Sequence, residues 1–405
     1  MRFNSRTRIL TAAVVLALAT LAVPYRAEHA WQEMLTTGSQ LERVIEAAQT
    51  RRPVLHGEPI EGFAFREYER ATGALREEFD DEWSLYIAAR SQGEAQRVLL
   101  RDEMLAGHEE SLAALALGAR STDARYYGPW FEDRALPTAR LFEARNLVHL
   151  SVLAADKHLA DGQPGSAVDV LLDGMQYGRD LMAAPLLINR MVGCAMLAIA
   201  SKEALIDDDL LARIPAGQLE RLASGMARLD AALPGAKLCM DGEISRFIQL
   251  VGESSSRTDP FISGWSSLEA WRFGFSTRAM YADYVQVSLH LRNRQLELEH
   301  LPWPQQSAQL DALAEELADS SNPLTGHLRA FPRAAEPAVG ITTLLRLTRM
   351  AAEYQLTGHA TPLPDPFGTQ LTVIEIDGTV RIESVGPGDE RKRARYSLEL
   401  AARDD

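Results

Sequence analysis

Apolar residues recur at intervals of three and four along most of this chain, with alanine and leucine filling many of those positions. That period marks amphipathic helices packed on one another. It predicts helices over Glu33–Arg51, Phe65–Gly73, Glu78–Ala106, His108–Gly118, Thr138–Asp161, Ser166–Met182 and Pro185–Leu205. Further helices are predicted over Ala216–Leu233, Ala236–Gly252, Leu268–His300, Gln306–Asp319 and Ile341–Leu356. Pro185–Leu205 is apolar almost all round, so it is expected to be the central, most buried element.

Thr138–Asp161 places Leu141, Ala144, Val148, Ser151, Val152 and Ala155 on one face. Asp161-Gly162-Gln163-Pro164-Gly165 breaks it ahead of Ser166–Met182. The two segments predict a helical hairpin of the tetratricopeptide kind. No repeat of fixed period is sustained, so a solenoid of stacked units is not implied. The pattern switches to period two near the end: Gln370–Ile376 alternates, Asp377-Gly378 is a strong two-residue turn, and Thr379–Val385 returns. The predicted architecture is mainly α, an irregular helical bundle with one tetratricopeptide-like hairpin and a small C-terminal β-hairpin. Four segments follow: an N-terminal anchor over 1–30, a helical region with loops over 31–135, a helical core over 136–340, and a helix with hairpin and tail over 341–405.

The N-terminus has a different pattern. Arg2, Arg6 and Arg8 precede the apolar run Ile9–Val23. Such a run fits a signal anchor or a signal peptide, and spanning a bilayer takes about 17–25 helical residues. Pro24, Tyr25 and Ala27 extend the run toward the interface, where Tyr25 and Trp31 suit the headgroup level. Ala22-Val23-Pro24-Tyr25-Arg26 is a poor cleavage site, so the uncleaved anchor is the expected form. The arginines place the N-terminus in the cytoplasm. The expected location is a bacterial inner membrane, single-pass, with the body in the periplasm.

Across its 405 residues the chain is 46% hydrophobic and 24% charged, enough apolar content for a large core. A net charge of −14 argues against nucleic acid or an anionic membrane surface as partner. Cys194 and Cys239 could pair in an oxidising compartment, or stay as two core thiols. His149 and His158 lie nine apart, and no histidine pair has the spacing of a helical metal site. No metal or cofactor is expected. Nucleophile elbows, P-loops and dinucleotide fingerprints are absent from the sequence.

The turn-rich loop carrying His56, Glu58 and Glu61 and the aromatic loop carrying Tyr126, Tyr127 and Trp130 are the expected binding surface. Rings near Gly-Pro turns also serve as core plugs beneath a loop. Glu253-Ser254 invites comparison with helical lytic transglycosylases, which use one glutamic acid in an apolar cleft. Ser255-Ser256-Arg257 and the missing Gly-Leu-Met-Gln element depart from that pattern, and a polar loop accounts for Glu253–Asp259.

Two resemblances add to this reading. Asp365-Pro366-Phe367-Gly368, the Asp377-Gly378 hairpin and Ser384-Val385-Gly386-Pro387-Gly388-Asp389 resemble the end of type II secretion pseudopilins. The likeness covers Leu344–Glu390, about an eighth of the chain. Met1–Leu10 lacks the Gly-Phe-Thr-Leu-x-Glu processing site, so pilin assembly is not implied. Asp389 is the one position matching that family's calcium loop, the rest of the ligand set is not evident, and a solvated acidic loop accounts for it. Over most of its length the chain also resembles an uncharacterised class of bacterial envelope proteins, with the anchor, an Arg-Pro-Val-Leu-x-Gly-Glu-Pro-like loop at Arg52–Pro59 and the Asp-Pro-Phe ending. That resemblance implies architecture and no chemistry. The expected function is a non-enzymatic, membrane-anchored scaffold or binding protein holding an envelope protein or peptide. The competing expectation is an envelope hydrolase or lyase using a single carboxylate.

Overall fold

The computed structural model describes residues 29–49, 52–89, 91–126, 141–207, 209–254, 277–318, 322–376, 379–387 and 396–401. Helix α1 spans residues 29–49. It is followed by β1 (Ile60–Phe63), α2 (Ala64–Gly73), α3 (Phe79–Ala89), α4 (Glu94–Ala106), α5 (Glu109–Arg120) and β2 (Ser121–Asp123). Next come α6 (Leu141–Ala160), α7 (Pro164–Ala183) and α8 (Leu187–Ala198), which runs on as a π-helical stretch (Ile199–Asp207). Then follow α9 (Leu210–Arg213), α10 (Ala216–Ala231), α11 (Ala236–Ser254), α12 (Thr277–Leu298) and α13 (Trp303–Ala318). A 3-10 segment (Pro323–Arg329), α14 (Ala330–Arg333), α15 (Ala335–Thr357), β3 (Thr372–Ile376), β4 (Thr379–Glu383) and β5 (Ser397–Ala401) complete the order. The fold is mainly α with a small antiparallel sheet at its end.

Helix α7 is the centre of this arrangement. Gly162, at φ +72°, turns the chain after α6, and Pro164 opens α7 at a position where its missing N–H costs nothing. Every residue from Leu171 to Ala183 is buried, against α5, α6, α8 and α10. Two glycines let the neighbours approach. A Cβ on Gly174 would stand 2.7 Å from Ser151 Oγ of α6, and a Cβ on Gly193 of α8 would stand 2.5 Å from the Gly178 carbonyl. The expectation that Pro185–Leu205 would be the most buried element is therefore corrected. Helix α8 exposes Ile188 at 45%, whereas α7 buries Asp173, Gln176, Arg179 and Asp180 as well as its apolar residues. Polar content hides a central helix from a hydrophobicity reading when its charges have internal partners.

Other departures have equally local causes. The helix expected over Glu78–Ala106 is two helices, because Gly93 sits at φ +126°, a conformation open to glycine alone. The β-hairpin forms in the register that a two-residue turn demands, with Ile376 opposite Thr379 and Thr372 opposite Glu383. Asp377 and Gly378 themselves lie outside the described residues. A third strand, β5, adds antiparallel to β4, and β1 pairs with β2 in a short parallel ladder. Neither was expected from the pattern.

The largest apolar cluster draws on Leu55, α2 and α5–α8, then α10, α15 and the inner sheet residues Val380, Ile382, Leu398 and Leu400. A second joins Trp31, Met34, Leu41 and Ile45 of α1 to α11, α12 and the 3-10 segment. Among the described residues no helix is long and apolar enough to cross a membrane, and Ile9–Val23 lies outside them.

Candidate functional site

The loop after α1 is fastened to α7 by two sets of charged contacts. Arg52 and its pocket are buried completely, with the side chains of Arg52 and Asp180 both at 0% exposure. The guanidinium pairs with Asp180 and donates to the carbonyls of Gly118 at 2.7 Å and Ala119 at 3.0 Å, with Nε donating to Ser121 O at 2.8 Å. Those carbonyls end α5, so the cation also meets the negative end of that helix. Asp180 accepts further bonds from Tyr68 Oη at 2.8 Å, Gln176 Nε2 at 3.0 Å and Arg179 Nη1 at 3.1 Å. A buried charge is tolerated only with such full pairing.

Four residues on, His56 lies between two carboxylates one turn apart on α7. Its Nε2 is 2.5 Å from Asp173 Oδ1 and its Nδ1 is 3.0 Å from Asp169 Oδ1. Burial by itself would lower the imidazole pKa. The two carboxylates outweigh it and push His56 up to about 9, so it is a cation at neutral pH. Burial raises Asp173 despite the bond to His56, while Asp169 is held below the usual carboxylate range because His56 and Arg221 outweigh its burial. Arg221 pairs with Asp169, and Arg228 donates to the Leu55 carbonyl. Gly57, at φ +70°, turns the loop away from α7.

Asp169, Asp173, Gln176 and Asp180 form a polar row at i, i+4, i+7 and i+11 on α7. That row is what the loop reads. Beyond Gly57 the chain stands in the open: Glu58 and Glu61 are both exposed, Glu61 on β1. Tyr126 is buried at 4%, packed edge-on to Phe65, and its N–H is 3.3 Å from Gln49 Oε1. It is a core plug rather than part of an open groove. Tyr127 and Trp130 lie outside the described residues. His56, Glu58 and Glu61 thus share one loop, with His56 turned inward as the anchor. Both of its ring nitrogens are engaged, so at neutral pH it has no lone pair for base catalysis or metal ligation. Among the described residues no cluster of three or more His, Cys, Asp or Glu side chains could hold a metal.

Three other features bear on chemistry. Asp156 gathers Arg101 at 2.8 Å, Arg97 at 3.2 Å and Arg213 at 2.5 Å, tying α4 and α9 to α6. Glu94 and Asp102 neutralise the outer side of Arg97 and Arg101, so this hub has no charge left for an anion. Glu243 on α11 is a carboxyl raised by burial, and it accepts the Leu187 N–H at the start of α8 at 2.7 Å. Glu253 and Ser254 end α11. In the C-terminal region the two stretches that carried the pseudopilin resemblance are bonded together. Asp365 accepts from Phe367 N–H at 2.9 Å, Ser384 Oγ at 2.8 Å and Val385 N–H at 3.0 Å, and Phe367 is buried against Trp303 and Tyr396.

Comparison of the chain with protein-family models, with curated proteins and with solved structures found no match.

Proposed function

We propose that this chain is a non-enzymatic scaffold or binding protein of the bacterial envelope, anchored in the inner membrane by its N-terminal segment with its body in the periplasm. Residues 52–61 form the face it turns to a peptide or partner subunit. The observation that carries this reading is the double fastening of that loop, through Arg52 to Asp180 and through His56 to Asp169 and Asp173. A connecting loop needs no such anchorage. A presenting loop does, because ordering it in advance removes an entropic penalty from binding. The exposed Glu58 and Glu61 follow directly after the anchored part. The test is affinity capture of the tagged full-length protein from its native membranes, read by mass spectrometry, beside the Glu58→Lys/Glu61→Lys variant. A partner recovered with the parent protein and lost from the variant supports the reading. Identical recovery from both, or nothing specific from either, removes it.

A second reading, an envelope hydrolase or lyase acting through one carboxyl, is favoured by Glu243 alone. A carboxyl raised by burial, with no ion pair among the described residues, is shifted in the direction a general acid needs. Its bond to Leu187 N–H also makes it a cap for α8. Glu243→Gln keeps the shape of the side chain. Loss of peptidoglycan cleavage with an unchanged melting temperature would establish the enzyme, and an absence of cleavage by the parent protein would dismiss it.

A further inference from the structure

The helices α3 and α4 form an antiparallel hairpin around Gly93, and only one side of it is packed among the described residues. Phe79, Tyr86, Met104 and Leu105 face inward onto Leu150, Leu153 and Ala154 of α6. On the outside, Leu85 is 60% exposed and Leu99 is 52% exposed, while Ile87, 42% exposed, lies about 200° round α3 from Leu85. These are three of the seven large apolar side chains standing exposed among the described residues. Their concentration on one hairpin is what calls for a cause, since single exposed leucines are ordinary.

Leu85 lies four residues before the end of α3 and Leu99 five residues after the start of α4. At about 1.5 Å per residue the two stand level across the hairpin. Ala88 and Ala95, both exposed, lie one turn nearer the tip, and Asp81 and Glu103, also exposed, one turn farther from it. The outer face is thus a ladder of alanine, leucine and acid, one rung per turn. Acid also dominates the surroundings. Residues 76–110 contain ten Asp and Glu against four Arg. Two of those arginines, Arg97 and Arg101, are drawn inward to Asp156.

We propose that this face docks a basic amphipathic helix of a partner protein. An apolar side chain of that helix would sit on the Leu85–Leu99 rung, and a lysine or arginine one turn along would meet Asp81 and Glu103. Apolar contact would supply the affinity, and the acids would set orientation and hasten encounter. The same acids disfavour two rivals. An anionic bilayer would be repelled, and a second copy would bring its own acid rung against this one. The surface is separate from the loop of residues 52–61 and stands whether or not that loop binds anything.

The test is fluorescence anisotropy of a labelled 18-residue Leu/Lys amphipathic peptide titrated with the purified full-length protein. A protein-free sample in the same buffer and detergent is subtracted. The reference peptides are a scrambled Leu/Lys sequence and an amphipathic Leu/Glu sequence. The amphipathic Leu/Lys peptide should bind best, and its affinity should fall on adding salt. Leu85→Ser/Leu99→Ser and Asp81→Lys/Glu103→Lys should each weaken it by about tenfold or more, the scale of losing one well-placed contact. Glu58→Lys/Glu61→Lys should leave it unchanged. All of these positions are exposed, so melting temperatures should stay close to that of the parent and will report any variant that does not fold. Equal binding of the scrambled peptide, or full binding by Leu85→Ser/Leu99→Ser, would overturn the proposal. So would self-association in sedimentation that the leucine variant abolishes, since that outcome gives the face to a second copy.

Discussion

Arg52 and Asp180 meet with no solvent exposure on either side chain, although 128 residues separate them. The pair fixes where the loop after α1 crosses α7, and both charges hold further hydrogen bonds. Truncating one member should therefore be severe, because the other is left charged and buried. Arg52→Met or Asp180→Leu alone should destabilise the protein by about 3–5 kcal/mol. The double variant should recover part of this, since Arg52 is then no longer a lone buried charge, although buried Arg179 still loses its bond to Asp180. Urea unfolding of the four proteins forms the cycle that checks this.

Two histidines should give stability opposite slopes with pH. His56 is raised to about 9 in the fold, so between its unfolded value near 6.5 and about 9 the folded state holds more protons. Its stabilisation is complete below about 6.5 and fades as pH rises through 9, by roughly 3 kcal/mol at most. His149 behaves in reverse. It is half-buried with its ring centroid 4.1 Å from that of Trp83, and loss of solvent, helped by Arg145, lowers it to about 4. Stability should thus be lost as pH falls from 6.5 through 4. Melting curves of His56→Gln should lose the alkaline slope, and those of His149→Phe the acid one.

The crossing of α7 and α8 should be intolerant of a single methyl group. A Cβ on Gly193 would be 2.5 Å from the Gly178 carbonyl and 2.8 Å from Met182 N, backbone atoms that cannot rotate away. Gly193→Ala should cost about 3 kcal/mol. Gly217→Ala is the control, with nothing within 4 Å of the added carbon, and should be neutral or stabilising by a few tenths of a kcal/mol. Thermal unfolding of both variants decides the comparison.

Both thiols should be silent in the native protein. Cys194 and Cys239 are free and buried, and burial pushes them up to about 11 and about 12. Thiolate is the reactive form. A maleimide or aromatic disulfide reagent at pH 8 should label neither until denaturant is added, and then both. Native labelling at either position would contradict the burial described above.

How much of this was legible beforehand depends on the distance between partners. The hairpin of β3 and β4 could be read because period two and Asp377-Gly378 lie within one short window. Strand β5 could not: Ser397-Leu398-Glu399-Leu400-Ala401 is only five residues long, and an arginine-rich stretch separates it from the turn formers Gly386-Pro387-Gly388-Asp389. The loop of His56 was recognisable from its glycine and prolines, yet its inward orientation was not. The signal lay in the polar row Asp169, Asp173, Gln176 and Asp180, which reads as the solvated face of an ordinary helix. Nothing local says that His56, 117 residues before Asp173, will cover that row. The break at Gly93 was missed for a simpler reason. The apolar period continues on both sides of it, and only the backbone angle separates the helices.

The largest apolar cluster begins at Leu55 and is completed by Leu398 and Leu400. Leu398 and Leu400 leave the ribosome long after Leu55, so this core cannot close until both have been made. Until then α15 and the inner faces of β3 and β4 have apolar surface without cover. Removal of the five residues of β5 should expose a new strand edge on β4, with the aggregation risk such edges bring.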